Sequence, residues 1–331
     1  AGDIATGIGW RLWQCGIDVA MTDLPRPTCI RRTVAFSTAL EEGRYTVEGV
    51  TAVACPDLES ARAALAERCV AVIPDPEGTC IPQLQPAAVV DAVLAKKNLG
   101  TAITDAPLVI GVGPGFCAGQ DCHYVVETKR GHRLGRVIEE GPAAPNSGLP
   151  GNIMGYTGER IIRSTVSGRF QPLCAIGDLV QAGQTVARVD GVELKVQIPG
   201  MIRGMLHEGI QVTPGFKCGD VDPRGREADY TTISDKARAV AGGVLEAILR
   251  RYGSRLLCGV LSGTQNPETD VKTQAAAYRK VRGGLCSLDR LRRDRAIPRS
   301  STQTGTTYYY YSILKAIKNK TCTESRRCDT K

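Results

Sequence analysis

The chain has 331 residues, 42% of them hydrophobic, enough for more than one buried core, and it contains no apolar run of the roughly 18 residues that a membrane span needs. A net charge of +8 suggests a nucleic-acid binder, but residues 251–331 hold 17 Lys+Arg against 6 Asp+Glu, whereas residues 1–250 hold 25 against 28, so the basic character belongs to the tail alone. Thirteen cysteines, odd in number, scattered and never spaced C-x-x-C, argue for reduced thiols in a cytoplasm rather than a disulfide framework, and Cys117, Cys122 and His123 fall short of a zinc site's four ligands.

The chain opens AGDIATG. Gly2, Asp3 and Ala5 match the later part of a G-x-G-x-x-G/A loop, which cradles a dinucleotide phosphate, without its first glycine or preceding strand. The expectation is a fragment whose parallel sheet lacks its first strand. Residues 4–14 place Ile4, Ile8, Leu12 and Trp13 on one helical face and end at Gly16. Residues 17–22 form a strand with Asp23 just beyond it, 21 residues after Gly2. An acid at that distance accepts hydrogen bonds from ribose hydroxyls; the alternative is an acidic turn residue before Pro25. Arg31 and Arg32 follow, either as bidentate partners of a phosphate, including a 2′-phosphate, or as a solvated basic pair.

Residues 33–36 and 45–53 read as short strands joined by a helical turn at 39–42. Regular alternation then resumes, with a helix over 56–68, a strand over 69–73, a helical turn at 81–84 and strands over 88–94 and 107–112. This predicts an α/β, Rossmann-like domain over 1–115, its parallel sheet covered on both faces. Lys96, Lys97 and Asn98 fall beyond a strand's carboxyl end, where such sheets collect ligands.

Residues 116–160 read as a glycine-rich loop and hairpin connector. Gly111, Gly113, Gly115 and Gly119 crowd a strand end, and Gly113, Gly115 and Phe116 make a second loop able to approach an anion. Asp121 and His123, two apart, share a face if the segment is a strand. With Arg130 and His132 they form a candidate catalytic set for proton transfer. The plainer reading is a hairpin of 124–127 with 134–138.

Residues 167–190 and 199–222 align at a constant offset of 32, each reading G, short strand, G-x-x-V-x-x-G, short strand. Two such halves predict a small all-β barrel with a pseudo-two-fold axis over 161–226. The pattern resembles the biotinyl/lipoyl carrier domain. The hairpin between the halves reads VDGVELK, with Glu193 where a carrier Lys would stand and Lys195 two residues on. The resemblance therefore implies the fold without the swinging arm, and neither biotin nor lipoate is expected. Within 227–250, Ser234 caps a helix over 237–249. Residues 251–331, with four tyrosines at 308–311, read as a nucleic-acid arm or, the favoured reading, as foreign out-of-frame sequence that packs poorly, with one helical stretch at 311–317.

Several stretches together resemble one bacterial family, the selenium-dependent molybdenum hydroxylase system (accessory or maturation) proteins. They are AGDIATG, MTDLPRPTCIRRTVAFS with the later VEGV, VDAVLAKKN, the run from Asp105 to Ile138, GYTGERI, IGDLVQAGQTVARVDGV, GDVDPRG and ISDKA, over residues 1–250. The resemblance implies a cytoplasmic accessory role in assembling or activating molybdenum hydroxylases that need labile selenium. It carries over the loops at Gly2, Asp3 and Ala5 and at Gly113 to Phe116, and no catalytic residue. Three readings stay open. In the first, a maturation factor binds a nucleotide or a molybdopterin-type cofactor through Gly2, Asp3, Thr6, Asp23, Arg31 and Arg32, with Asp121, His123, Arg130 and His132 facing a substrate, a hydroxylase or its cofactor-assembly proteins. In the second, an NAD(P)-dependent oxidoreductase uses His123 as proton donor. In the third, a non-catalytic scaffold docks a hydroxylase. No metal, membrane or nucleic-acid partner is expected, and the ligand readings require Gly2 and Asp23 to meet on one side of the sheet.

Overall fold

The computed structural model describes the backbone of residues 1–261 and 311–314 and the side chains of residues 1–253. The chain divides into two compact units, Ala1–Leu249 with Tyr309–Lys331, and Arg250–Tyr308; of the second only the backbone to Leu261 and the first few side chains are described.

Helix α1 (Asp3–Gln14) buries Ile4, Ile8 and Leu12, the helical stripe seen in the sequence, and turns out at Gly16 with φ +82°. Strand β1 (Asp18–Thr22) follows. The strand expected over 33–36 is instead a pair of 3-10 turns, Arg32–Val34 and Phe36–Thr38, running into α2 (Ala39–Glu42). Side chains take over the backbone pairing here: the Phe36 N–H donates to the Thr6 hydroxyl (2.8 Å) and the Thr38 hydroxyl donates to the Arg32 carbonyl (2.7 Å). Residues 45–53 form not one strand but a hairpin of β2 (Arg44–Val47) and β3 (Val50–Ala54), because Glu48 and Gly49 both take positive φ, 44° and 79°, as a tight hairpin turn demands.

Helix α3 (Leu58–Ala66), with Asp57 and Ser60 forming its capping box, leads to β4 (Val70–Ile73), α4 (Ile81–Leu84) and β5 (Ala88–Asp91). Strand β5 stops three residues early. Asp91 turns back to accept the Val93 N–H (3.1 Å) and the Thr101 hydroxyl (2.6 Å), and Leu94 sits at φ +58°. Then come β6 (Val109–Val112), β7 (Cys117–Ala118), β8 (Tyr124–Val126), β9 (Val137–Ile138) and β10 (Gly141–Pro142). The expected hairpin exists, with Val125 opposite Ile138.

Eight strands that follow make two four-stranded sheets: β11 (Ile161–Arg163), β12 (Gly168–Pro172), β13 (Leu179–Val180), β14 (Thr185–Val189), β15 (Val192–Lys195), β16 (Gly200–Met205), β17 (Gln211–Val212) and β18 (Lys217–Asp222). Their orders are β11-β18-β16-β13 and β15-β14-β12-β17. Each repeat half thus lends its short middle strand to the other half's sheet. Gly168 pairs with Val212 as Gly200 pairs with Val180, and the Gly177 N–H reaches the Ile202 carbonyl as the Gly209 N–H reaches that of Phe170, the same offset of 32 throughout. Phe170, Val186, Ile202, Met205 and Leu206 fill one core between the sheets. The closed barrel expected from the repeat does not form, because β11 and β15 each pair on one side only and leave two sheets.

Helix α5 (Asp235–Leu261) begins where expected, with the Ala237 N–H donating to Ser234 Oγ (3.2 Å), and runs twelve residues past the expected end at 249. It approaches α1 at backbone distance, since a Cβ on Gly7 would lie 2.7 Å from the Ala237 Cβ. The last described strand, β19 (Tyr311–Leu314), corrects two expectations: the stretch is extended rather than helical, and it belongs to the fold. The large sheet runs β2-β3-β4-β1-β19-β5-β6-β8-β9, parallel from β3 to β8 with an antiparallel strand at each edge. Strand β19 takes the central place between β1 and β5. Without it β1 and β5 would face each other with unpaired backbone groups inside the sheet. The rest of the tail expectation lies outside the described residues. Ile313 pairs with Ala20 on one side and Val89 on the other. Ile313→Pro is therefore expected to cost about 1–3 kcal/mol, one ladder donor lost between two paired strands, read as a lower urea midpoint; an unchanged midpoint would show that β19 does not hold the sheet.

Candidate functional site: two adjoining cavities at the start of α1

Gly2 is extended and gives α1 no side-chain cap, so the first-turn amide groups face outward. A cavity of about 330 Å³ opens there, lined by Gly2, Asp3 and Ala5 of the opening loop, Asp23 beyond β1, Arg31, and Ala92 to Leu94 beyond β5. Gly2 and Asp23 therefore meet on one side of the sheet, at the carboxyl ends of parallel strands. Asp23 is already engaged: it accepts the Leu24 N–H (2.7 Å) and pairs with the Ala1 amino group (2.7 Å). Thr6 is fully buried and fastens α1 to Phe36 and the Ala1 carbonyl rather than facing the cavity. The two arginines part company. Arg32 turns to donate from Nε to the Met205 carbonyl (2.9 Å), whereas Arg31 turns inward and is 7% exposed. Burial pushes the Cys29 thiol, beside Gly2, up to about 12, with the nearby Asp3 charge adding to it, so it stays protonated.

The second glycine loop is a packing device. A Cβ on Gly111 would lie 2.5 Å from the Phe116 ring, and one on Gly115 2.5 Å from the Lys97 backbone. Gly113, Gly115 and Phe116 line neither cavity at α1. The candidate catalytic set is also divided. Asp121 closes a turn by accepting the Cys117 N–H (2.8 Å), and His123 is tied to β6, its Nδ1 accepting the Val109 N–H (3.0 Å). Both lie before β8, whereas Arg130 and the exposed His132 lie beyond that strand's other end. Asp121 and His123 are not on a strand. Of the four, only Arg130 reaches a cavity at α1, held by two bonds to Asp235 (2.6 and 3.2 Å).

That second cavity, about 620 Å³, adjoins the first and shares Asp3, Ile4, Arg31, Arg203 and Lys217 with it. Seven Arg and Lys line it against three Asp. Behind it two buried carboxylates are shared among three guanidinium groups, and Asp220 Oδ1 has no hydrogen-bond partner among the described residues. Asp220 pairs with Arg203 (2.7 Å) and Arg160 (3.6 Å), and Asp222 with Arg224 (2.7 Å) and Arg203 (3.5 Å). Burial pushes the Asp222 carboxyl up, but hydrogen bonds from Arg224 outweigh it and hold the group below the usual range. Burial, then the charge of Arg203, lowers the Arg31 pKa; partial desolvation at the cavity wall likewise lowers those of Lys217, whose side chain stays open to solvent, and Lys236. Among the described residues neither lysine has an ion-pair partner within 4 Å.

The reading of the sequence missed Arg160, Arg203, Lys217, Arg224 and Lys236. In the repeat, Arg203, Lys217 and Asp220 stand where the first half has Gln171, Thr185 and Arg188, so the cavity-lining charges of the second half have no counterpart of the same kind in the first.

No protein-family model matches the chain. A protein of Escherichia coli (strain K12) described as "Uncharacterized protein YqeB" is 49% identical over 249 residues, which is 75% of this chain and 46% of that protein. The chain thus spans about half the length of the curated relative it matches. Among solved structures, an aspartoacylase family protein from Mesorhizobium loti is 17% identical over 19% of this chain and 22% of that one, with a TM-score of 0.18. The ectoine utilization protein EutE from Ruegeria pomeroyi is 22% identical over 25% of this chain and 28% of that one, with a TM-score of 0.19. Similarities this slight carry no argument. Among the described residues no helix is long and apolar enough to cross a membrane.

Proposed function

We propose that this protein is an accessory factor in the maturation or activation of a selenium-dependent molybdenum hydroxylase, and that it binds a phosphorylated ligand, a nucleotide or a molybdopterin-type cofactor, in the cavities at the start of α1. The observation that carries the ligand reading is the buried Arg31, without an ion-pair partner among the described residues, lining both cavities at the start of α1. The parallel strands and the position of the cavity beyond their carboxyl ends support a Rossmann-like nucleotide-binding unit. The exchanged repeat halves support a biotinyl/lipoyl-like unit without its carrier arm, since Glu193 and Lys195 pair with each other on an exposed strand (3.3 Å). The accessory role rests on the resemblance, whose stretches converge here: Asp3, Arg31, Arg130, Arg160, Arg224 and Lys236 come from six separate ones and line one cavity.

Calorimetric titration of the whole chain with NAD, NADP, ATP and molybdopterin-type cofactor tests this. One of them is expected to bind at micromolar Kd, and a hydroxylase matured in the protein's presence is expected to gain activity. No binding by any of the four, with no effect on the hydroxylase, would overturn it. Dinucleotide binding accompanied by hydride transfer would replace it with an oxidoreductase.

A further inference from the structure

We propose that the second cavity is a phosphate site, and that the anionic end of the ligand sits there rather than on the first turn of α1. The inference rests on the reading that the ligand carries phosphate; it does not need the maturation role.

The argument starts from uncompensated charge. Arg31 is 7% exposed, its Nε has no hydrogen-bond partner, and no carboxylate lies within 4 Å of its guanidinium among the described residues. Arg160 is 4% exposed; one of its amino groups donates to the Gly151 carbonyl (3.0 Å), but Nε and Nη1 have no hydrogen-bond acceptor. The Nε of Arg203 is likewise unsatisfied. Buried guanidinium groups without acceptors are costly, and Asp220 and Asp222 are already shared among Arg160, Arg203 and Arg224. An anion in the cavity would supply the missing acceptors, and the planar donor fork of Arg matches phosphate oxygens. Lys217 and Lys236 add two ammonium groups from separate elements, β18 and the start of α5.

Asp3 decides where the phosphate rests. Its carboxylate lines both cavities beside the first turn of α1 and attracts Arg31, Lys217 and Lys236. A phosphate against that turn would meet the Asp3 carboxylate directly; one placed toward Arg160 and Lys236 would face Asp235 instead, whose charge Arg130 offsets. The two cavities share five lining residues, so the remainder of an elongated ligand would extend toward Asp23.

The test is calorimetric titration of the whole chain with pyrophosphate, inorganic phosphate and citrate at low ionic strength. Pyrophosphate is expected to bind with Kd below about 1 mM. Lys217→Gln, at a side chain that lines both cavities and has no ion-pair partner among the described residues, is expected to weaken it about tenfold. Asp3→Asn is expected to tighten it several-fold, a gain that misfolding cannot produce. Tighter binding of pyrophosphate than of phosphate identifies a diphosphate, and equal binding identifies a monoester. The inference is overturned if neither phosphate binds, if both variants bind as the unaltered chain does, or if citrate binds as tightly as pyrophosphate. Pyrophosphate binding without any nucleotide or molybdopterin-type ligand would sustain this site and fail the function proposed above. Nucleotide binding that both variants leave unchanged would do the reverse.

Discussion

Asp220→Ala is expected to lower the unfolding free energy by about 3–5 kcal/mol, the usual cost of removing one partner from a buried ion pair. Asp220 is 2% exposed and lies between Arg203 (2.7 Å) and Arg160 (3.6 Å). Without it, two buried guanidinium groups lose their shared counter-charge and repel each other, with Arg31 also near. The carboxylate that remains, Asp222, is already paired with Arg224 and Arg203. Urea unfolding followed by circular dichroism reads the loss. Pyrophosphate at saturating concentration is expected to restore part of it, because a ligand that binds only the folded state stabilises by mass action and here also replaces the missing negative charge. A stability loss below about 1 kcal/mol would mean the pairs are worth no more than exposed ones.

The second large effect separates two neighbouring glycines of α5. Gly→Ala inside a helix ordinarily stabilises by about 0.5–1 kcal/mol. At Gly242 a new Cβ meets nothing within 4 Å, so Gly242→Ala should gain that amount. At Gly243 the Cβ would lie 2.1 Å from the Gly135 carbonyl oxygen and 2.8 Å from a Val126 methyl. The carbonyl is backbone and cannot rotate away; the helix or the hairpin must shift, at about 1–3 kcal/mol, which exceeds the propensity gain. Gly243→Ala is therefore expected to destabilise. Moving α5 also moves Asp235 and Lys236 relative to Arg130, so pyrophosphate binding should weaken together with stability. Thermal melts of the two variants check the opposite signs, and equal shifts would show that α5 does not pack on the hairpin at this distance.

Features carried by short-range periodicity were legible. The stripe Ile4, Ile8, Leu12 specified α1, the apolar runs at 70–73 and 109–112 specified buried strands, and the constant offset of 32 anticipated the exchanged registers of β12 to β18. Local chemistry misled where side chains competed with the backbone. Thr6 and Thr38 draw residues 32–38 into 3-10 turns, and Asp91 ends β5 early. Chain direction divides the candidate catalytic set: Asp121 and His123 precede β8 whereas Arg130 and His132 follow it, and strand polarity separates neighbours in sequence.

By itself the sequence determined the α/β character of its first part, the two-fold β unit, the meeting of Gly2 with Asp23 and the start of α5, since each depends on residues within a few turns or on one repeat. Only the tertiary structure decided that β19 fills the centre of the sheet, that Arg31 turns inward while Arg32 turns away, and that Arg130, Arg160, Arg203, Lys217 and Lys236 share one cavity. Each of those side chains, taken in its own stretch, looks like solvated surface. The burial of Arg31 and Arg160 and the excess charge of the set arise where distant segments meet, and pairwise distance in space, not spacing along the chain, sets that energy.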